Sequence, residues 1–277
     1  MATIAEELRR WTDKLERLDI SWLLQHVLDV NAAFLAAHPD YLLTAEQTQA
    51  FHELMTKRAA GVPVAYLTGK QGFYDLIFEV TSDVLIPRPE TELLIETVLA
   101  MIPVNHPCNI LDLGTGSGAI AITIARHRPR VHVLALDISI NALLLARRNA
   151  GRLSVSNIDF VAGNWYEALG AIRFDGIVAN PPYIASADPH LQQGDLRFEP
   201  MLALVAEHDG LSCLRKIISQ APQFLHQGGW LLFEHGYDQA AACRQLLTAA
   251  GFTELIRQSD FAQIDRVSGG YCQSIFR

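Results

Sequence analysis

The fold is decided by one stretch of the chain, Ile110-Leu111-Asp112-Leu113-Gly114-Thr115-Gly116-Ser117-Gly118. The apolar run at its start predicts a buried strand over 109–113, and the apolar spacing after it predicts a helix over 119–126. Glycines between a strand and a helix allow a tight turn and let a ligand approach the main chain, where a side chain would clash. The stretch therefore indicates a strand–loop–helix unit that binds a ligand.

Strands and helices continue to alternate after this loop. We predict further strands at 132–137, 158–162, 176–179, 230–234, 253–258 and 271–276, with helices at 141–150, 210–225 and 239–250. This order is typical of an α/β fold with a doubly wound, mainly parallel sheet, here of seven strands. Ligands of such sheets bind at the carboxyl ends of the strands.

The chain before the loop has a different pattern. Apolar residues recur every three or four positions over 4–18, 22–30 and 32–37, and Thr44 and Gln47 have capping-box spacing before a further helix, which Gly61 and Pro63 end. We expect residues 1–70 to form a small all-α bundle that recognises a protein partner or packs. Residues 71–88 are predicted as a β-hairpin linker with strands at 73–76 and 77–85, and residues 89–277 as the main domain, which starts with a helix from 90 to about 101.

The glycine spacing indicates the cofactor. A dinucleotide fingerprint has the spacing G-x-G-x-x-G, whereas this chain has D-x-G-x-G-x-G, with Asp112 two residues before the first glycine. A carboxylate there suits the cationic amino-acid end of S-adenosyl-L-methionine better than a pyrophosphate. Asp137 ends the next strand, where an acid accepts hydrogen bonds from both ribose hydroxyls. We expect S-adenosyl-L-methionine as cofactor and S-adenosyl-L-homocysteine as product. An N-cap role for Asp137 and an NAD-binding oxidoreductase are the alternatives.

A second motif, Asn180-Pro181-Pro182-Tyr183, follows the strand predicted at 176–179. Because proline fixes φ, the Asn180 side-chain oxygen and the Pro181 carbonyl would be two rigid acceptors for a planar NH2 group, on which Tyr183 would stack. The nitrogen of an amide or aromatic amine is a weak nucleophile, and two acceptors on its hydrogens orient it and help a proton to leave. We predict Asn180, Pro181 and Tyr183 as catalytic residues for methyl transfer to such a nitrogen. A rigid turn is the alternative. The segment Glu234-His235-Gly236, at the end of another predicted strand, would border the same pocket or cap a loop.

These motifs resemble the HemK/PrmC family, whose members methylate a glutamine side-chain amide in bacterial peptide-chain release factors. The resemblance extends over nearly the whole chain. It includes Ala65-Tyr66-Leu67-Thr68-Gly69, Leu85-Ile86-Pro87-Arg88-Pro89-Glu90-Thr91-Glu92, and the segments 189–195 and 197–200. We expect residues 188–200 to form a lid or a protein-docking loop, with a plain crossover loop as the alternative.

The resemblance implies a role for each matching residue. The methionine part of the cofactor would be lined by Gly114, Thr115, Gly116, Ser117 and Gly118, with Asp137 at the ribose and Trp165 near the adenine. Asn180 would contact cofactor and substrate, Pro181, Pro182 and Tyr183 would complete the amide pocket, and Phe73 would wall its substrate side. Family members commonly carry Asp where this chain has Asn164, which keeps a hydrogen bond to the adenine but lacks the charge.

The resemblance also implies class 1 release factors as protein substrates, methylated at the Gln of their Gly-Gly-Gln motif. The glycine loop and the Asn-Pro-Pro-Tyr motif are shared with DNA amino-methyltransferases, so a DNA or RNA enzyme acting on adenine or cytosine is the alternative. A non-catalytic S-adenosylmethionine-binding module is disfavoured by the intact Asn-Pro-Pro-Tyr motif.

Composition excludes several other classes of protein. The chain has 277 residues, of which 50% are hydrophobic, so it is not largely disordered. Its net charge is −8, and residues 71–277 carry 15 Lys and Arg against 21 Asp and Glu, which disfavours direct contact with nucleic acid. The four cysteines are widely spaced, so we expect core thiols and no metal site. With no signal-peptide pattern and no apolar run of about 20 residues, we expect a cytoplasmic monomer without membrane contact.

Overall fold

The chain folds into two compact units, and the computed structural model describes them over residues 2–273. The first unit ends at Lys70 and also includes His190–Phe198. The second unit comprises Gln71–Pro189 and the chain from Glu199 onward. The boundary after Lys70 coincides with the predicted end of the helical domain, but His190–Phe198 lies within the predicted main domain and packs with the helices instead.

The first unit consists of short helices around an aliphatic core. Its helices are α1 (Ile4–Trp11), α2 (Arg17–Leu28), α3 (Ala32–Ala37), α4 (Ala45–Ala59) and α5 (Val64–Thr68). Phe51 and Met55 of α4 have no exposed surface and pack in this core. The capping box at the start of α4 is confirmed. The N–H of Gln47 donates to the Thr44 hydroxyl at 3.1 Å, and the N–H of Thr44 donates to the Gln47 amide oxygen at 2.9 Å.

The first two predicted helices are wrong at their boundaries. A turn after α1 interrupts the helix predicted over 4–18, and there the Thr12 hydroxyl donates to the Leu8 carbonyl at 2.7 Å. Helix α2 then begins at Arg17 rather than at 22 and ends before Asp29, which has a left-handed φ of 53°. Leu8 on α1 and Leu15 in the turn nevertheless pack against the same core, whereas Leu18 on α2 is exposed, so the apolar spacing indicated the buried side of α1 but not the break after it.

The second unit begins with a β-hairpin and continues with alternating strands and helices. The strands are β1 (Lys70–Phe73), β2 (Leu76–Glu79), β3 (Cys108–Leu113), β4 (Val131–Asp137), β5 (Ile158–Ala162), β6 (Phe174–Ala179), β7 (Ile184–Ala185), β8 (Val205–Ala206), β9 (Leu225–Glu234), β10 (Phe252–Ser259) and β11 (Asp265–Cys272). The helices are α6 (Glu92–Met101), α7 (Ala119–His127), α8 (Ile140–Arg152), α9 (Met201–Leu204), α10 (Ser212–Phe224) and α11 (Ala240–Ala249). Helix α6 is preceded by a 3₁₀ turn at Pro89–Thr91. It therefore begins at Glu92, two residues later than the helix predicted from 90.

Seven of these strands form one sheet in the order β10-β11-β9-β6-β3-β4-β5. Neighbouring strands are parallel except at β11, which is antiparallel to both β9 and β10. The predicted fold class is therefore confirmed. The chain leaves β3 towards β4 on one side and reaches β6 on the other, so the strand order reverses beside β3. Sheets of this kind bind ligands at the carboxyl ends of the strands next to such a reversal.

Both faces of the sheet are buried under helices. Because side chains alternate along a strand, Ile110 and Val178 pack with α6 and α7 on one face, whereas Leu111 and Ile177 pack with α10 and α11 on the other. None of these four side chains has exposed surface. Burial on both faces produces the continuous apolar runs that made these strands predictable.

Several predicted strand boundaries are wrong. Both hairpin strands lie earlier than the predicted 73–76 and 77–85, because Tyr74 turns the chain with a φ of 57°. The second strand is also shorter than predicted, since residues 80–88 form a loop. Strand β9 begins at Leu225 rather than at 230, since an irregular register lets both Leu225 and Trp230 pair with β6. Strand β11 begins at Asp265 rather than at 271, and residues 274–276 of that prediction lie outside the described residues.

The thiols differ in their surroundings. Burial raises the pKa values of Cys108 and Cys243 to about 12, whereas Cys213 and Cys272 are only half-buried, so the expectation that all four are core residues is wrong. Within residues 2–273, no group of three or more His, Cys, Asp or Glu side chains is arranged to hold a metal ion. In the same part of the chain, no helix is long and apolar enough to cross a membrane.

Candidate active site

The glycine loop joins β3 to α7 at the carboxyl edge of the sheet. Gly114 and Gly116 have φ angles of 78° and 55°, in the left-handed region that favours glycine. The N–H groups of Gly114 and Thr115 donate to the Leu136 carbonyl at 2.8 and 2.9 Å, which holds the loop against the end of β4. Apart from its chain neighbours, no described atom lies within 4 Å of where a Cβ on Gly116 would be. The loop therefore leaves its main chain open to a ligand.

Asp112 lies directly behind this loop and has no exposed surface. Neither carboxylate oxygen has a partner of hydrogen-bonding geometry among residues 2–273, and neither does the hydroxyl of Thr115. Burial raises the pKa of Asp112 from 3.8 to about 7, and the negative charge of Asp137 adds to the rise, although Thr115 and the Ala121 N–H are near enough to oppose it. A buried carboxylate without a partner is costly, so this one is suited to pair with a cation or a hydrogen-bond donor of a ligand.

Asp137 ends β4 and is held in place by the backbone. Its two oxygens accept the N–H groups of Gly116 and Ser139, each at 2.8 Å. Burial raises the pKa of Asp137, while these backbone donors oppose the rise. Each carboxylate oxygen can accept a further hydrogen bond, so two fixed acceptors remain for a pair of neighbouring hydroxyls.

Trp165 and Asn164 follow β5 at the same edge. Trp165 has a left-handed φ of 54°, and its ring lies 3.7 Å from where a Cβ on Gly114 would be. The Asn164 amide nitrogen donates to Glu167 at 3.0 Å, so its oxygen remains the acceptor for a ligand. The indole supplies a flat apolar surface beside the glycine loop.

The Asn-Pro-Pro-Tyr motif follows β6, two positions along the sheet from β4. The Asn180 amide nitrogen donates to the Thr91 hydroxyl at 3.0 Å, whereas its oxygen is buried and has no hydrogen-bond partner in the described chain. Pro181 is buried, and the Tyr183 hydroxyl donates to Glu234 at 3.0 Å. Burial and the neighbouring Glu234 carboxylate raise the pKa of Tyr183, so it stays a neutral donor. The corner thus presents one unpaired acceptor on a rigid turn.

One cavity of about 400 Å³ brings these groups together. Its wall includes most of the predicted site residues: Phe73, Gly114, Thr115, Gly116, Ser117, Asp137, Asn164, Trp165, Asn180 and Pro182. Asp112, Gly118, Pro181 and Tyr183 do not line it. Asp112 lies behind the loop, Gly118 precedes α7, and Tyr183 is turned to Glu234. The roles assigned to individual residues remain predictions.

Sequence reasoning did not include several residues that shape this cavity. Val84, Arg88 and Thr91, from the segment after the hairpin, line it, as does Cys213. Thr91 belongs to the segment 85–92, which resembles the family, but no pattern in the neighbouring residues predicts a chemical role for its hydroxyl.

Two buried residues act from behind the cavity wall. Asn149 donates to the carbonyls of Ser117 and Glu79, at 2.9 and 3.0 Å, and so fastens the glycine loop to the hairpin. Glu234 neither borders the cavity nor caps a loop, the two roles expected from the sequence; it accepts hydrogen bonds from Thr91 and Tyr183 behind the cavity wall. The signal that identified Asp137, an acid at the carboxyl end of a buried strand, also applies to Glu234.

The carboxylates and the aromatic surface of the site fit S-adenosylmethionine. The unpaired Asp112 carboxylate suits the ammonium group of an amino acid, and the two acceptors of Asp137 suit the hydroxyls of a ribose. Trp165 offers a stacking surface for an adenine. A pyrophosphate would instead meet the carboxylates of Asp112 and Asp137, so NAD does not fit.

The strand order and the two motifs at its reversal define the class of this protein as a methyltransferase with a Rossmann-like fold. Solved structures show the same fold. A methyltransferase from Pyrococcus furiosus is 15% identical and matches with a TM-score of 0.54 over 83% of this chain and 100% of its own. The ribosomal protein L11 methylase from Lactobacillus delbrueckii subsp. bulgaricus is 22% identical and matches with a TM-score of 0.51 over 73% of this chain and 88% of its own.

Sequence comparisons narrow the class to one family. The profile of the PrmC N-terminal domain matches residues 2–69, and that of the methyltransferase small domain matches residues 89–195. The release factor glutamine methyltransferase of Xylella fastidiosa strain Temecula1 is 50% identical over 94% of this chain and 95% of its own length. The enzyme of that name from Escherichia coli K12 is 44% identical over 92% and 91%. This chain belongs to the release factor glutamine methyltransferase family.

Proposed function

We propose that this chain transfers a methyl group from S-adenosylmethionine to the side-chain amide nitrogen of the Gln in the Gly-Gly-Gln motif of class 1 release factors. The observation that carries the proposal is the Asn180 amide oxygen, which is buried and has no hydrogen-bond partner among residues 2–273, on a residue that lines the cavity of the glycine loop. An unpaired acceptor needs a donor, and a glutamine amide brings two in one plane. Membership of the family supports release factors as the source of that amide.

The chain's contribution to the reaction is to position the amide. Its nitrogen is a weak nucleophile because the lone pair is delocalised into the carbonyl group. The Asn180 oxygen and the Pro181 carbonyl would each accept one of its hydrogens, which orients the nitrogen and stabilises the positive charge that develops on it. No strong base is needed, since the methylated nitrogen loses a proton readily.

The cofactor, when bound, supplies a methyl group on a positively charged sulfur. Asp112 would hold its ammonium group, Asp137 its ribose, and Asn164 and Trp165 its adenine. The open main chain of Gly114 and Gly116 would let its methionine part approach.

We also propose that residues 1–70 recognise the release factor, with 71–88 as a linker and 89–277 as the catalytic domain. Support comes from His190–Phe198, which packs with the helices of the first unit. Arg58 donates to Asp195 at 2.8 Å and to Asp19 at 2.6 Å, so this segment is tied to α2 and α4. In this proposal the helices of the first unit and the segment His190–Phe198 form one surface for a protein substrate.

The test is methyl transfer from labelled S-adenosylmethionine to three substrates. They are a release factor, the same factor with the Gly-Gly-Gln glutamine changed to alanine, and duplex DNA. We expect label only in the unmodified factor, at the amide nitrogen of that glutamine. Label in DNA, or equal label in both factors, would refute the proposal in favour of a nucleic-acid substrate or a different protein site.

A further inference from the structure

A chain of buried hydrogen bonds lies behind the Asn-Pro-Pro-Tyr corner. Glu234, at the end of β9, is 2% exposed and accepts from the Thr91 hydroxyl at 2.6 Å and from the Tyr183 hydroxyl at 3.0 Å. Thr91 is 4% exposed and accepts from the Asn180 amide nitrogen at 3.0 Å. The three links therefore connect one carboxylate to the side chain that would meet the substrate.

The direction of these hydrogen bonds follows from the chemistry of the groups. An ionised carboxylate only accepts, so Thr91 must donate its single hydroxyl proton to Glu234. With that proton committed, Thr91 can only accept from Asn180, which must turn its NH2 group towards Thr91. The Asn180 oxygen is then left facing away from Thr91 and without a partner in residues 2–273.

An amide that turned over would be useless for this reaction. Its NH2 group would meet the NH2 group of the substrate, so two donors would face each other and only the Pro181 carbonyl would remain as an acceptor for the substrate nitrogen. The two orientations of the Asn180 amide have nearly the same shape, because its oxygen and its NH2 group are similar in size. Only the hydrogen-bonding partners of Asn180 select one of them.

We propose that Glu234 and Thr91 are positioning residues that fix the orientation of the Asn180 amide, so that its oxygen is presented to the substrate amide. The inference rests on the proposed function and adds the groups that set the polarity of the site. Glu234 sets the direction of the hydrogen bonds because an ionised carboxylate only accepts. Thr91 keeps that direction because its hydroxyl has one proton, which it donates to Glu234. Tyr183 supports the arrangement as the second donor to Glu234.

The surroundings of Glu234 add a dependence on pH. Burial raises the pKa of Glu234, the Thr91 and Tyr183 hydroxyls and Arg266 oppose the rise, and Glu90 adds to it. A protonated Glu234 can donate to Thr91, which frees the Thr91 proton for Asn180 and removes the constraint. The kcat of the wild-type protein, at saturating cofactor and release factor, should therefore fall as the pH drops through the pKa of Glu234.

The test is Glu234→Gln, which keeps the shape but lets position 234 donate. We expect kcat to fall at least about tenfold, towards the hundredfold that loss of one preorganised polar group often costs. KM for the release factor should change less than about threefold, because most of a protein substrate binds elsewhere. Thermal stability should be unchanged or higher, since a buried charge is removed, and the acid fall of kcat should disappear.

Two threonine variants provide the controls. Thr91→Val should lose kcat as Glu234→Gln does, and Thr91→Ser should recover it. Thr97→Val removes a comparably buried hydroxyl, which donates to the Leu93 carbonyl at 2.7 Å on α6, and should leave kcat unchanged. Wild-type kcat in Glu234→Gln or in Thr91→Val would overturn the inference.

A direct measurement separates this inference from the proposed function. In side-chain amide NMR spectra, one Asn180 NH2 proton should exchange slowly with solvent in the wild type and rapidly in Thr91→Val. If the wild type methylates no release factor, the proposed function fails, and the exchange measurement still decides the orientation of Asn180. Equal, rapid exchange in both proteins would refute the positioning role.

Discussion

Replacement of Asp112 by Asn should make the cofactor-free protein more stable at alkaline pH and weaken its binding of S-adenosylmethionine. Asp112 is completely buried without a hydrogen-bonding partner in the described chain, and burial raises its pKa to about 7. Asn has nearly the same shape and cannot ionise. The variant therefore removes an isolated buried charge together with the group that would pair with a cationic ligand.

The magnitude follows from the shift in pKa. Because the folded-state pKa is raised from 3.8 to about 7, the stability from this group is fully present below pH 3.8 and is lost as the pH rises through 7. Between pH 5 and pH 8 the wild type should lose about 2 to 3 kcal/mol through this residue. The variant should not, so its melting temperature relative to wild type should rise by about 5 to 10 °C over the same range.

The affinity for the cofactor should rise with pH, whereas the stability of the cofactor-free protein falls. A cationic ammonium group pairs with the ionised carboxylate, so the wild type must release a proton from Asp112 when it binds below pH 7. Affinity should rise up to about tenfold per pH unit between pH 5.5 and 6.5. In Asp112→Asn it should be weaker and nearly independent of pH.

Isothermal titration calorimetry in buffers of different ionisation enthalpy measures both the affinity and the proton release. Asp175→Asn is the matched control, because Asp175 lies on the neighbouring strand β6 and accepts from the Asn109 N–H in a bond of 2.8 Å that Asn can keep. It should retain the wild-type dependence on pH. The reasoning about Asp112 is refuted if Asp112→Asn binds as tightly as the wild type, or if wild-type affinity is constant from pH 5.5 to 6.5.

Three further variants test individual positions. Asn180→Ala should abolish methyl transfer while cofactor affinity, measured by calorimetry, stays largely intact; full activity would exclude the assigned role. Asn164→Asp should lower the Kd for S-adenosylmethionine, and more so with Glu167→Gln, because Glu167 would otherwise repel the new carboxylate across a contact now 3.0 Å long; an unchanged or higher Kd would contradict this. Gly118→Ala should lose about 1 to 2 kcal/mol or more in urea unfolding, because φ is 84° and the new Cβ would lie 2.7 Å from Ile122; equal stability would show that the loop relaxes.

The acidic charge of the second unit separates the two enzymes that share this active-site corner. Residues 71–277 carry a net charge of −6, from 15 Lys and Arg against 21 Asp and Glu. A DNA or RNA enzyme needs a basic surface to replace counterions on the phosphates. The charge therefore supports a protein substrate, and the duplex DNA in the transfer assay tests it.

Much of the fold was predictable because its signals are local. Strand β5 lies at the edge of the sheet and is only partly buried, yet its apolar residues Ile158, Phe160 and Val161 mark it, and the prediction of that strand is confirmed to the residue as Ile158–Ala162. The boundary errors occur where packing overrides local pattern. The helix predicted at 4–18 ends at Trp11 because the chain turns there while Leu15 still reaches the core, and the hairpin strands lie earlier than predicted because Tyr74 adopts a left-handed turn.

The sequence by itself determined that the chain has a methyltransferase domain, and it predicted the cofactor and the corner that would hold the substrate amide. Both follow from residues close in the chain, namely the Asp112–Gly118 spacing after one strand and Asn180–Tyr183 after another. Only the tertiary structure decided the orientation of the Asn180 amide. That amide is oriented by Thr91, which lies 89 residues before Asn180 in the chain. Thr91 is in turn oriented by Glu234, which lies 143 residues after Thr91. A hydrogen bond has a direction that depends on which groups meet, and no local pattern records that meeting.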